Sequence, residues 1–91
     1  MASYLAARYV VYMYLEPVIT DDARKHGVPD EDILHAFNNT LDSFDDPDDP
    51  DFIIQTGPDT AGRFIELGVV TEDHFAYILH AMPARRRYFP R

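Results

Sequence analysis

The sequence contains no cysteine, and this absence excludes both a disulfide scaffold and a zinc site built on thiolates. It also has no apolar run of about 18 residues, the length that a membrane-spanning helix requires. The first residues do not combine a basic segment with a clean apolar one, as a signal peptide would. We therefore expect no membrane association, and the cytoplasm is the expected compartment.

Basic residues are scarce as well. Lys and Arg number 8 against 16 Asp and Glu, which gives a net charge of −8. This excess argues against a general nucleic-acid coat, since affinity for phosphates depends on cationic side chains. The charge is uneven, because acids concentrate in residues 21–51 and arginines in residues 84–91. The basic tail could bind a phosphate, an acidic partner or the chain's own acidic loop.

The 91 residues, of which 46% are hydrophobic, suit one small folded domain spanning 1–91. We expect its core within about residues 8–83, an acidic loop at 45–51 and a basic tail at 84–91. Prolines interrupt the acids of the loop, which also lacks the glycine and distal glutamate of a calcium loop. A solvated loop is therefore expected there.

Residues 8–15 are dense in β-branched and aromatic side chains and predict a strand that is apolar on both faces and ends before Pro17. Such a strand is either central in a sheet or covered by another subunit, which allows a homodimer through residues 8–15.

Two short helices are predicted next. The first is capped by Thr20 and ends at Gly27, and the second begins at Pro29 and ends near Asn38. One face of the second helix is apolar and carries Ile33, Leu34, Phe37 and Leu41.

Three strands are expected at residues 52–56, 63–70 and 74–82, separated by turn residues. In the last strand, alternation places His80 on one face with Ala76, Ile78 and Met82, opposite Phe75, Tyr77, Leu79 and Ala81. The fold class predicted is α+β, with two short N-terminal helices packed on one face of an antiparallel sheet of about four strands. The other sheet face is expected to be open to solvent or to a partner.

Several motifs occur in a familiar order across residues 20–88. They are Ala23–Val28, Glu31–Ile33, Ala36–Phe37, Gly57–Arg63 and His80–Tyr88. This series resembles small bacterial toxins of the BrnT type and short actinobacterial proteins with a His-Ala-Met-Pro-Ala-Arg-like ending. The resemblance implies a RelE-like fold, ribonuclease activity on RNA and a cognate antitoxin as partner, with no cofactor and no metal.

Metal-free RNA cleavage needs a base for the 2′-OH and a cation for the phosphate. His80 is the candidate acid or base, although a half-buried strand histidine without a role is the alternative. Arg85 is the candidate phosphate clamp, with Arg86 and Arg87 as further RNA-binding residues. These consecutive arginines would otherwise be a solvated tail or a partner contact.

Four further residues are candidates with structural alternatives. Arg63 could reach the same face, or it could form a salt bridge with Glu66 or Asp59. His26 is a candidate catalytic residue and Lys25 is a candidate RNA-binding residue. Both could instead complement a helix dipole. Tyr88 could stack on a base or donate a proton, or it could pack the tail onto the domain.

A different class of function also fits the sequence. The net charge, together with Met82 and Pro83 where the toxins carry arginines, allows a non-catalytic relative that acts as a protein-binding module or homodimer. A metal-dependent hydrolase is disfavoured because the histidines are widely spaced, with no His-x-x-x-His pair on a helix. They are His26, His35, His74 and His80.

Overall fold

The structure is a computed structural model that describes residues 15–91. The strands are β1 (Glu16–Ile19), β2 (Asp42–Asp46), β3 (Asp49–Pro58), β4 (Phe64–Glu72) and β5 (Phe75–Pro83), and the helix is α1 (Asp30–Asn38). The strands form one sheet in the order β1-β5-β4-β3-β2. Neighbours are antiparallel except β1 and β5, which run parallel. No helix within residues 15–91 is long and apolar enough to cross a membrane.

The fold is α+β, but the predicted RelE-like arrangement of two helices on an antiparallel sheet of about four strands is wrong. The described residues form one α-helix and a five-stranded mixed sheet. The segment predicted as the first helix is only a 3-10 turn, Asp21–Arg24. Thr20 does not cap it, because its hydroxyl instead donates to the Ile78 carbonyl at 2.8 Å. Gly27 ends the segment at φ +76°, as expected for a residue in the left-handed region.

Strand β1 contains Pro17, which was predicted to follow the end of a strand. The N–H groups of Glu16 and Thr20 donate to the carbonyls of His74 and Ile78, so every second residue faces β5. Pro17 lies between them and faces away from β5, so this pairing needs no N–H donor at that position. The strand predicted at residues 8–15 lies outside the described residues except for Leu15, and so does the homodimer contact expected there.

Helix α1 begins where the sequence predicts, directly after Pro29. Its residues Ile33 and Phe37 are buried against the sheet, whereas Leu41 lies beyond the helix and is 52% exposed, contrary to expectation. Gly57 on β3 permits the close approach of α1, because a Cβ there would collide with the carbonyl oxygen of Ala36. The core lies between helix and sheet and comprises Ala23, Ile33, Ala36, Phe37, Ile65, Leu67, Val69, Ala76, Ile78 and Ala81.

The predicted acidic loop at residues 45–51 is the tip of a hairpin, and only Pro47 and Asp48 separate β2 from β3. The carboxylates of Asp46 and Asp49 accept the N–H groups of Asp48 and Asp51 at 2.8 Å and 3.0 Å. Aspartate favours such tight turns because its side chain can bond to the backbone two residues on. The acids therefore shape the hairpin, which the solvated-loop prediction did not include.

Strand β5 departs from strict alternation. Gly68 pairs with His80 and Val69 pairs with Ile78, so Leu79 is the extra residue of a β-bulge. Ala76, Ile78 and Ala81 consequently face the core, whereas His80 lies on the opposite sheet face, apart from Ile78. The predicted grouping of His80 with Ala76 and Ile78, and of Ala81 with Leu79, is therefore wrong.

Residues 84–91 fold back over the sheet face opposite α1. A 3-10 turn, Arg86–Tyr88, follows β5, and the Thr56 hydroxyl donates to the Tyr88 carbonyl at 2.6 Å. The Phe89 ring packs edge-on against Phe64. This sheet face is therefore partly covered by the chain itself, not open as expected.

Candidate functional site

Glu66 is the centre of the candidate site. Its side chain has 0% of its surface exposed, although it projects from β4 toward the face that the tail crosses. A carboxylate in such surroundings requires partners, because loss of hydration is costly. Glu66 was expected only as a possible salt-bridge partner of Arg63, which pairs with Asp59 instead. The available signal in the sequence is a single acid between Ile65 and Leu67, within the apolar part of the strand.

Arg85 supplies most of the compensation for Glu66. Its Nε donates to Oε1 at 3.0 Å and its Nη2 to Oε2 at 2.8 Å, a two-point contact of guanidinium and carboxylate. Its backbone N–H also donates to Oε1, at 2.9 Å. The guanidinium is thereby held in one orientation at the surface, where its side chain is 45% exposed.

The ionisation of Glu66 follows from these contacts. Burial alone would raise the pKa of Glu66, but the hydrogen bonds and charge of Arg85, aided by His80, outweigh it and lower the pKa. The pKa of Arg85 is raised by its hydrogen bonds to Glu66. Both groups are therefore charged at neutral pH.

His80 also contacts Glu66. Its Nε2 lies 3.2 Å from Oε2, and the side chain is 27% exposed. Because an ionised carboxylate only accepts hydrogen bonds, Nε2 carries a proton and donates it, which leaves Nδ1 of a neutral ring as an acceptor. The contact thus fixes both the tautomer and the direction of the imidazole.

Gly68 makes room for His80 beside Phe52. A Cβ at Gly68 would collide with the tip of the Phe52 ring and with Cβ of His80. The Phe52 ring therefore lies over the Gly68 backbone, on the same side as Cβ of His80. The two side chains form part of the wall of one cavity, which is possible only with glycine at this position.

This cavity, called the His80 cavity here, has a volume of about 230 Å³. It is lined by Asp46, Phe52, Ile54, His80, Arg85, Arg87 and Tyr88. None of the ion pairs among residues 15–91 involves Arg87. The structure therefore brings together His80, Arg85, Arg87 and Tyr88 from the predicted set.

Tyr88 packs the tail onto the domain. The guanidinium carbons of Arg85 and Arg87 lie 5.2 Å and 5.0 Å from its ring centre, and Phe44 packs edge-on against it. These contacts occupy the ring, so the structure favours the packing alternative over base stacking for Tyr88.

The remaining candidates divide between two places. The His26 ring lies 5.6 Å from that of His80, between centroids, and so adjoins the site. Lys25 pairs with Asp22 at 3.0 Å, a surface ion pair and not the helix-dipole contact considered as its alternative. Arg86 is exposed and is not among the residues that line the His80 cavity.

Arg63 lies elsewhere. Its Nε donates to the buried Asp59 at 2.9 Å, and it lines a second cavity of about 250 Å³. We call this the Asp32 cavity, after a carboxylate in its wall. His26 lines it as well, so one imidazole borders this cavity and contacts His80.

Within residues 15–91, no three His, Asp or Glu side chains converge in a way that could hold a metal ion. Comparison with protein-family models, curated proteins and solved structures gives no match to this chain.

Proposed function

We propose that the chain is a metal-independent endoribonuclease that cleaves RNA by attack of the 2′-OH on the adjacent phosphate. The observation that supports this function best is the buried Glu66 carboxylate, which binds His80 and Arg85 side by side in the wall of one cavity. A proton acceptor and a phosphate-binding cation at adjacent positions are the two groups that this reaction needs.

His80 is the base in this proposal. Its Nδ1 takes the proton of the 2′-OH, the O2′–P bond forms and the P–O5′ bond breaks, which leaves a 2′,3′-cyclic phosphate. The imidazole becomes a cation during this step, and the ionised Glu66 at 3.2 Å stabilises that charge. Glu66 is a positioning residue, because its own oxygens are engaged by Arg85 and His80.

Two arginines stabilise the phosphate. Arg85 uses Nε and Nη2 for Glu66, which leaves Nη1 to donate to a phosphate oxygen. Arg87 lines the same cavity and brings a second positive charge. A local pair of cations offsets the overall acidity of the chain where the negative charge of the transition state develops.

His26 is the acid for the leaving group. Its ring adjoins that of His80, and a protonated imidazole there would give its proton to the departing 5′ oxygen.

The biological role proposed is that of a cytoplasmic toxin controlled by a cognate antitoxin. Support for this part comes from the order of motifs over residues 20–88 and their resemblance to BrnT-type toxins. An antitoxin would have to cover or distort the His80 cavity.

A non-catalytic binding module is the second candidate, and one observation favours it. Arg85 makes three hydrogen bonds to Glu66 through its side chain and backbone, an arrangement that is sufficient to anchor residues 84–91 without any reaction. The net charge of −8 suits a protein partner better than RNA.

Induced expression in a bacterial host, with RNA cleavage by the purified protein, tests both candidates. We expect the wild type to arrest growth and cleave RNA in the presence of EDTA, and His80→Ala to do neither. A matched control replaces the exposed His74 by alanine and should retain activity. A folded wild-type protein that neither arrests growth nor cuts RNA would favour the binding module.

A further inference from the structure

The Asp32 cavity adjoins the proposed cleavage site but has a different chemistry. It is walled by apolar groups of Val28, Phe64, Ile65 and Pro83. His26 lines it, and its ring lies 5.6 Å from that of His80, between centroids, so the two cavities lie near each other. Its volume of about 250 Å³ is below the range typical of drug-sized ligands and suits one small ring system.

One carboxylate oxygen is available in this cavity. Asp32 is 8% exposed, and its Oδ1 accepts both the N–H of Thr60 at 2.9 Å and its hydroxyl at 2.6 Å. Oδ2 accepts no hydrogen bond from the residues the structure describes. The hydroxyl and the N–H of Thr60 lower the pKa of Asp32 despite its burial, so this acceptor is charged at neutral pH.

A donor lies in the same wall. Arg63 is held to Asp59 through Nε, and its side chain is 77% exposed, which leaves its terminal N–H groups available. Two acids, Asp32 and Asp59, outnumber this guanidinium, so the cavity is a poor place for a phosphate. It suits a neutral, flat ligand that donates to Asp32 and accepts from Arg63.

We infer that the Asp32 cavity binds a guanine base of the RNA substrate. This inference rests on the proposed ribonuclease function and names the base that its site selects. Guanine places two N–H donors, N1 and N2, next to the O6 acceptor. Both donors converge on the one available oxygen, Oδ2 of Asp32, and O6 accepts from Arg63.

The other bases match less well. Adenine and cytosine each offer one amino donor beside an unprotonated ring nitrogen, whose lone pair would face the carboxylate. Uracil flanks its single ring N–H with two carbonyl oxygens. A charged, largely buried acceptor penalises these arrangements, because a lone pair would face a negative charge.

Calorimetric titration with the four nucleoside 3′-monophosphates tests the inference. We expect guanosine 3′-monophosphate to bind about tenfold more tightly than the other three. Asp32→Asn should remove this preference, since its amide oxygen can keep the Thr60 bonds while its NH₂ opposes guanine. Glu31→Gln, an exposed acid one position earlier in α1, is the control and should retain it.

Arg63→Ala is a second variant, which keeps the test decisive if Asp32→Asn does not fold. This substitution should weaken the binding of guanosine 3′-monophosphate several-fold more than the binding of uridine 3′-monophosphate. Equal affinity for all four nucleotides in the folded wild type, or a preference that both variants retain, would overturn the inference.

The same experiment separates this inference from the function on which it rests. If guanine is preferred through Asp32 but the protein cuts no RNA, the base subsite is supported and the proposed ribonuclease function is wrong. If the protein cuts RNA but binds all four nucleotides with equal affinity, the ribonuclease function is supported and the inferred guanine subsite is wrong.

Discussion

Glu66 and Arg85 lie 19 positions apart, and the buried carboxylate holds the half-exposed guanidinium by two hydrogen bonds of 3.0 Å and 2.8 Å. The pair links β4 to the segment that follows β5. It gives the sheet face its polar centre and directs the guanidinium toward solvent. Stability and proposed catalysis therefore depend on the same contact, and measurements on variants can separate the two.

Removal of the Arg85 side chain should destabilise the protein. Arg85→Ala leaves Glu66 buried with only a backbone N–H and His80 as partners, which should cost about 1–3 kcal/mol in the free energy of unfolding. Urea denaturation measures this change. Arg86→Ala removes the neighbouring exposed arginine and should stay within about 0.5 kcal/mol of wild type. Equal effects of the two substitutions would show that the Glu66–Arg85 contact contributes nothing.

Stability should also depend on pH through Glu66. The pKa of Glu66 is lowered in the folded protein, so the unfolded chain binds more protons as the pH falls. This contribution is fully present above the ordinary pKa of 4.5 and is lost as the pH falls through the folded value. Urea denaturation from pH 7 to pH 3 should therefore show a smaller decline for Glu66→Gln than for wild type. Parallel curves would contradict the lowered pKa.

Gly68→Ala should displace His80 and Phe52, because the added methyl group collides with both. We expect a loss of about 1–3 kcal/mol in stability and a fall in RNA cleavage. Phe52→Leu removes one of the two collisions. The double variant should therefore lose less stability than the sum of the single losses, which a double-mutant cycle measures. Strict additivity would rule out the collision with Phe52.

Gly57→Ala should weaken the packing of α1 on β3. The methyl group would meet the carbonyl oxygen of Ala36, a backbone atom that cannot turn aside, so we expect a loss of about 2 kcal/mol or more. Gly27→Asn is the control, because no atom lies within 4 Å of a Cβ there and Asn tolerates a positive φ. Thermal unfolding should show a clear drop for the first variant and less than about 1 kcal/mol for the second.

Local signals in the sequence predict part of this fold. Pro29 marks the start of α1, and Gly27 marks the end of the preceding segment. Each of these features depends on neighbouring residues. The first helix fails as a prediction because Thr20, its expected cap, bonds instead to a carbonyl 58 positions away.

In the candidate site, too, the features that depend on neighbouring residues are the predictable ones. His80, Arg85, Arg87 and Tyr88 are close in the sequence, so their proximity in space is foreseeable. Glu66 is not, because only the tertiary structure shows that Arg85 compensates its burial. The bulge at Leu79 is equally unpredictable from the sequence, since no glycine marks it, yet it determines which sheet face His80 occupies.

The position of Arg85 along the chain has a consequence for synthesis on the ribosome. Residues 64–72 leave the exit tunnel before Arg85 does, and at that stage Glu66 has no cationic partner from the tail. Packing of β4 then would bury an uncompensated charge, which opposes the collapse of the nascent sheet. Until residues 85–88 have emerged, the nascent sheet therefore lacks the stabilisation that the Arg85 side chain supplies, and the His80 cavity lacks part of its wall.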